Sequence, residues 1–173
     1  MRKEELFSVL KRLAVEDHTE SDCLLVMVMT HGDKDVLYAY DGPYSVDRLW
    51  ENFMGNGCPT LLGKPKLFFV QACRGTAFDK GIKLGCRELD SDCFEPHKYI
   101  IPTTADLLVM YSSYKGHVSW RNPRGGSWFI QALCVELETN GPFLELLQLL
   151  TAVSRRVAYD YQSNSTAILF GKK

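Results

Sequence analysis

Residues 66–75 read KLFFVQACRG. An apolar run climbs through Leu67, Phe68, Phe69 and Val70 to Cys73, then stops at Arg74-Gly75. Continuous apolarity, rather than alternation, is the pattern of a strand covered on both faces. CLLVMVMT (23–30) and ADLLVMYSS (105–113) have the same character. Helical patterns surround these runs. Over 4–14, Leu6, Leu10 and Leu13 share one face. Ser45 is placed to cap a helix whose Val46, Leu49, Trp50 and Phe53 follow i, i+3, i+4, i+7. Residues 128–138 read as another helix. Asn140-Gly141-Pro142 ends it and starts a last one, with Pro142 in the first turn and Phe143, Leu146, Leu147, Leu150, Val153, Val157 and Tyr161 at helical period. DVLYAYDG (35–42) predicts a short strand or hairpin at an Asp-Gly turn, and GNGCPTLLGKP (55–65) a loop. Buried strands alternating with amphipathic helices predict an α/β fold: a mostly parallel central sheet flanked by helices in three layers.

Composition narrows the function classes. The chain has 173 residues, 46% hydrophobic and 24% charged, and a net charge of −1 from 20 basic and 21 acidic residues. That length favours a single domain with a real core. Without a block of like charge there is no electrostatic case for nucleic acid or an anionic membrane. No apolar run approaches the ~18 residues of a membrane span. MRKEELFSVLKRLAVEDH scatters charge through the N-terminus, unlike a signal peptide. The cysteines, at 23, 58, 73, 86, 93 and 134, form no CxxC pair. Free thiols in a reducing, cytoplasmic compartment are the expected state. Cys23 and Cys134 sit in apolar runs and read as core. His97 and His117 lack metal-ligand spacing, so neither a metal nor a cofactor is expected. GCPTLLGK (57–64) differs from a phosphate-binding loop in glycine spacing, and Pro65 stands where such a loop has Ser or Thr.

Parallel sheets place their sites at the carboxyl ends of strands. Thr30-His31-Gly32 follows the first run, Cys73-Arg74-Gly75 the second, and Val118-Ser119-Trp120-Arg121 lies beyond the third. A cysteine beside a histidine can act as a nucleophile: the imidazole takes the thiol proton and later protonates a leaving amine. A glycine next to the histidine lets backbone N–H groups approach an oxyanion. Each residue alone has an ordinary reading: a buried inert thiol, a structural imidazole, a solvated guanidinium. Their coincidence at strand ends leaves both readings open.

Gln71-Ala72-Cys73-Arg74-Gly75 decides between them, because this pentapeptide resembles the active-site signature of the caspase family. VMVMTHGD resembles the family's Ser-His-Gly element, with Thr30 in place of Ser. Ser119-Trp120-Arg121-Asn122 and Gly126-Ser127-Trp128-Phe129 resemble its small-subunit motif. The resemblance runs from about residue 4 to the end. It implies a caspase-like three-layer fold and a cysteine endopeptidase that cuts protein substrates after aspartate, in apoptotic or inflammatory signalling. Cys73 would be the nucleophile and His31 the general acid/base. The N–H groups of Gly32 and Cys73 would form the oxyanion hole. Gln71 and Arg121 would line the aspartate pocket, Ser119 lies in the same motif, Val118 and Trp120 would wall the next subsite, and Trp128 one further out. Val118 departs from the tyrosine often found there.

The resemblance also implies a large-subunit part (1–90) and a small-subunit part (93–173) within one domain (1–173). They would be joined by a cleavable loop around 76–103, with Asp90 and Asp92 in RELDSDCFEP as processing positions of a zymogen. Against the family pattern, the chain lacks a first strand and helix, which carry a second pocket arginine, and a last strand at the dimer interface. Two expectations follow. One is a protease, a homodimer or a heterodimer with another caspase chain. The other is a catalytically impaired homologue or fragment that regulates an active caspase by pairing with it.

Overall fold

The computed structural model describes residues 1–77, 105–122 and 125–161. They fall into two compact units, Met1–Val118 and Ser119–Lys173.

The first unit is built on a parallel sheet. Helix α1 (Lys3–Val15) precedes β1 (Leu24–Met29); β2 (Gly32–Asp33), β3 (Val36–Ala39) and β4 (Gly42–Ser45) form an antiparallel sheet; β5 (Lys66–Gln71) and β6 (Leu107–Tyr111) complete the parallel sheet in the order β1-β5-β6. β5 lies centrally because its apolar run can be covered on both faces. Lys66 opens it buried, and its ammonium donates to the carbonyls of Leu61 at 3.0 Å and Lys64 at 2.9 Å. Phe68, Val70 and Ala72 point into a core shared with Leu10, Leu49, Phe53 and Leu61. The Phe68 ring meets Trp50 edge-on at 5.7 Å and Phe53 at 6.1 Å.

The predicted helix over 46–53 is two 3₁₀ turns, Val46–Leu49 and Glu51–Phe53. Ser45 does cap it, accepting from the Asp47 N–H at 3.4 Å. The N–H groups of Trp50, Phe53 and Met54 then reach back only three residues, to Asp47, Trp50 and Glu51. With glycines at 55 and 57 and Pro59 following, the stretch has little helix propensity to set against the buried Val46, Leu49 and Phe53. The predicted loop 55–65 contains further single turns at Gly55–Gly57 and Pro59–Leu61. β1 also departs from expectation. Leu24, Val26 and Val28 face the core, whereas Leu25, Met27 and Met29 are exposed.

In the second unit, β7 (Arg121–Asn122) pairs with β8 (Gly126–Ser127), followed by α2 (Trp128–Asn140) and α3 (Leu146–Asp160). The last helix begins at Leu146, not Pro142. The Asn140 carbonyl accepts from both Phe143 and Leu144, closing a turn, and the Glu145 carboxylate caps α3 through the Leu147 N–H at 2.9 Å. Cys23 and Cys134 are exposed rather than core. Cys23 precedes β1, and Cys134 lies off the stripe of α2 that buries Phe129, Ala132, Leu133 and Glu136; Cys58 is the fully buried thiol among the described residues. No helix among the described residues is long and apolar enough to cross a membrane.

Candidate active site

The register of the parallel sheet brings the first two strand ends together. Leu24 pairs with Lys66 and Met29 with Gln71, a constant offset of 66 − 24 = 42 residues. The separation of His31 and Cys73 is also 73 − 31 = 42. The pairing continues past the strands, because the Thr30 N–H donates to the Gln71 carbonyl at 3.0 Å. Continued in the same register, His31 and Cys73 are neighbours across adjacent strand ends. Strands in a sheet run ~4.8 Å apart, which is within reach of two side chains.

Gly32 shows how closely the two segments approach. A Cβ added there would lie 2.6 Å from the Cys73 carbonyl oxygen and 3.0 Å from the Ala72 Cβ. Only glycine lets the chain after His31 pass so near the backbone of Cys73. On the histidine side, the Thr30 hydroxyl donates to the Tyr38 carbonyl at 2.6 Å, and the Tyr38 N–H returns to the His31 carbonyl at 2.9 Å. These bonds anchor His31 at the root of the β2–β3 hairpin, with its side chain exposed. An open recess of about 460 Å³ adjoins it, lined by Met29, Tyr38 and Tyr40 among others, with no Lys or Arg among the described residues of its wall.

On the cysteine side, the two residues just past β6 supply the clamp. The Ser112 hydroxyl accepts from the Ala72 N–H at 3.2 Å and lies 3.3 Å from the Ala72 carbonyl, to which Ser113 donates at 3.2 Å. Beyond Cys73, the Arg74 N–H donates to the His117 carbonyl at 2.9 Å, and the Gly116 N–H to the Arg74 carbonyl at 2.7 Å. Gly75 sits at φ 150° against the Gly116 carbonyl, a contact with no room for a Cβ. Ala77 and Val118 continue the pairing, the Val118 N–H donating to the Ala77 carbonyl at 3.0 Å. The half-buried Cys73 therefore leaves a rigid strand for a segment laced to residues 116–118. Gln71, also half-buried, ends β5, two residues before the thiol.

Ser119, Trp120, Arg121 and Trp128 belong to the second unit. Arg121 is exposed on β7, opposite Ser127 on β8. The β7–β8 pairing brings the two tryptophans face to face. Their rings stack at 5.5 Å with an 18° tilt, and Tyr161 also stacks on Trp128, at 5.4 Å. Ser127 caps α2 by accepting from the Ile130 N–H at 3.4 Å. Asp90 and Asp92 lie outside the described residues. The sequence assigns Ser112 and Ser113 no site role. It reads Tyr161 as the end of a helical stripe, whereas α3 stops at Asp160 and Tyr161 turns to extended backbone. The paired hydroxyls that close the third apolar run were the one available signal for the Ala72 clamp.

Known proteins resemble this chain over nearly its whole length. The caspase domain family matches residues 1–172. Caspase-1 of Spodoptera frugiperda is 47% identical over 165 residues, covering 95% of this chain and 54% of its own length. Caspase drICE of Drosophila melanogaster is 43% identical over 94% of this chain and 48% of its own length, and caspase-7 of Gallus gallus 42% over 98% and 56%. The chain thus spans about half the length of these relatives. The crystal structure of the Spodoptera frugiperda caspase-1 superposes with a TM-score of 0.86 at 45% identity, covering 96% of this chain and 62% of that one. The fold is therefore caspase-like α/β. Since the match extends far beyond the pentapeptide around Cys73, to nearly every residue, the chain belongs to the caspase family.

Proposed function

We propose that the protein is a cysteine endopeptidase that hydrolyses protein substrates after aspartate in apoptotic signalling, with Cys73 as nucleophile and His31 as general acid/base. The observation that carries this reading is the shared offset of 42 residues, by which the β1–β5 register leads to His31 and Cys73 as neighbours. In the proposed reaction, His31 takes the Cys73 proton and the sulfur attacks the substrate carbonyl. An S–C bond forms as the C=O π pair moves to oxygen, where the N–H groups of Gly32 and Cys73 stabilise the charge. The pair returns, the C–N bond breaks, and the imidazolium gives its proton to the departing amine. Water, deprotonated by His31, then releases the acyl group and restores the thiol.

Arg121 and Gln71 hold the substrate aspartate in this reading, since a guanidinium binds a carboxylate through two parallel hydrogen bonds. Val118 and Trp120, with Ser119 between them, wall the adjoining subsite. Trp128, stacked against both Trp120 and Tyr161, forms a rigid apolar wall further out. Maturation cuts the chain after Asp90 or Asp92, dividing a 1–90 part from a 93–173 part. The protein acts in the cytoplasm as a homodimer or paired with another caspase chain. The exposed Leu25, Met27 and Met29 face of β1 favours a second reading, a non-catalytic homologue that regulates by pairing.

Hydrolysis of a fluorogenic Asp-containing peptide separates the two. Cleavage should occur and fall by more than about 10³-fold in Cys73→Ala, in line with loss of a nucleophile. Cleavage by the protein that Cys73→Ala leaves intact, or none from a processed dimer, would overturn the protease reading.

A further inference from the structure

The turn between β2 and β3 carries a charge that the proposed chemistry does not use. Asp35 accepts from the Lys115 ammonium at 2.7 Å through Oδ2, and its Oδ1 lies 3.7 Å from the Arg74 guanidinium. Lys115 and Arg74 hold its carboxyl below the usual carboxylate range, the Lys115 hydrogen bond contributing most. Arg74 is itself confined. Its guanidinium carbon lies 3.8 Å over the Tyr111 ring, its side chain is 18% exposed, and its Nε is buried with no partner among the described residues. A guanidinium so desolvated depends on its remaining counter-charge for orientation. One carboxylate thus touches the segment after Cys73 and the 113–118 turn, while its own backbone belongs to the hairpin rooted at His31. β3 is held on its far side by four pairs with β4, and the Val46 N–H donates to the Asp35 carbonyl at 3.1 Å. β2, which leads back to His31, has only two pairs, Gly32 with Leu37 and Asp33 with Val36, so its ladder alone fixes the β2 side weakly.

We propose that Asp35 is a positioning residue for the Cys73–His31 pair, tying the hairpin that carries His31 to the segment that carries Cys73 through Arg74 and Lys115. The proposal rests on the protease reading for its consequence in catalysis, and on geometry alone for its consequence at the thiol. Asp35 is exposed and its approach to Arg74, 3.7 Å, is longer than a hydrogen bond, so its ion pairs orient Arg74 while adding little to global stability. Its loss should therefore appear as misalignment rather than unfolding.

The test uses the full chain with Asp35→Ala and Asp35→Glu, and reads three quantities. Against the Asp-containing peptide, Asp35→Ala should lower kcat about 10-fold with KM within about 2-fold, the split expected when a group aligns the reacting atoms without holding substrate. Asp35→Glu should recover more than half of the lost rate, and Tm should move by less than about 3 °C in both. Alkylation of Cys73 by iodoacetamide at pH 6.5, followed by mass spectrometry of its peptide, should slow about 5-fold in Asp35→Ala, since a misaligned imidazole promotes less thiolate. Equal kcat and equal alkylation rates in Asp35→Ala and the parent overturn the proposal. So does a loss of rate that Asp35→Glu fails to recover and that follows a matching fall in Tm. If the parent cleaves no peptide, the protease reading fails, and the alkylation contrast alone decides the role of Asp35.

Discussion

β5 has a neighbour on each side, and every residue from Lys66 to Val70 is buried. β1 has β5 on one side only among the described residues, and its Leu25, Met27 and Met29 are 54%, 38% and 65% exposed. As sequences both read as continuous apolar runs, LLVMVM throughout and KLFFVQ between a lysine and a glutamine, so the more apolar of the two is the more exposed. The difference teaches that apolarity records a capacity for burial, while position in the sheet decides how much of it is used. It also separates two kinds of support at the site. Cys73 hangs from the strand held on both sides and His31 from the strand held on one, so the histidine depends more on side-chain ties such as those of Thr30 and Asp35.

The largest test of this contrast removes one side chain from each strand. Phe68 is fully buried, so Phe68→Ala should cost about 3–5 kcal/mol through lost transfer energy and the cavity left behind. Against a typical stability of about 5–15 kcal/mol, that is enough to shift a urea midpoint far down. Met27→Ala should cost under about 1 kcal/mol in the same titration. Comparable midpoints for the two variants would mean that β1 is covered as fully as β5 in solution.

A smaller effect is expected from the polar clips at the two strand ends. Ser112→Ala removes the hydroxyl that meets both the N–H and the carbonyl of the buried Ala72, and should cost about 1–2 kcal/mol because the N–H loses its partner while Ser113 still serves the carbonyl. Thr30→Val removes the bond to the Tyr38 carbonyl at an exposed site, where water can replace it, and should cost about half as much. Amide exchange sharpens the same point. N–H groups of Leu25, Met27 and Met29 alternate with the β5-facing N–H groups of Leu24 and Thr30, and should exchange faster than those of β5.

The smallest effect lies outside both strands and supplies the control. Glu136 accepts from Arg156 at 2.7 Å and from Asn140 at 2.6 Å, and these bonds, the Arg156 one first, hold its carboxyl below the usual range. A carboxyl depressed in the folded state contributes stability above its unfolded pKa, about 4.3, and loses it as pH falls through the folded value. Thermal melts between pH 6 and pH 3 should therefore decline below about pH 4.3, with a shallower decline in Glu136→Gln. An identical decline in the variant would assign the acid sensitivity to other carboxylates.

Much of the site was legible because its elements are local. Gln71 through Gly75 is one unbroken motif, and His31-Gly32 closes an apolar run, so each reads from a few consecutive residues. The 3₁₀ turns over 46–53 were not legible as such, because their apolar spacing is that of an α-helix and only the packed core and the hydrogen bonds three residues back distinguish them. Asp35 read as part of a hairpin and Lys115 carried no reading of its own, the two being 80 residues apart with no pattern joining them. The start of α3 was misplaced because Pro142 suits a first turn, yet the Asn140 carbonyl was already committed to closing a turn.

The sequence by itself determined the α/β class, the three long strands, and the chemistry available at Cys73 and His31. Apolar runs, glycines and reactive side chains state those locally, whatever the rest of the chain does. Only the tertiary structure decided that β1 and β5 pair at an offset of 42 residues, that Gly32 passes against the Cys73 carbonyl, and that one carboxylate reaches across to Arg74 and Lys115. These are contacts between segments distant in the chain. Their geometry is set by how the sheet and its loops pack, since no residue encodes its distant neighbour.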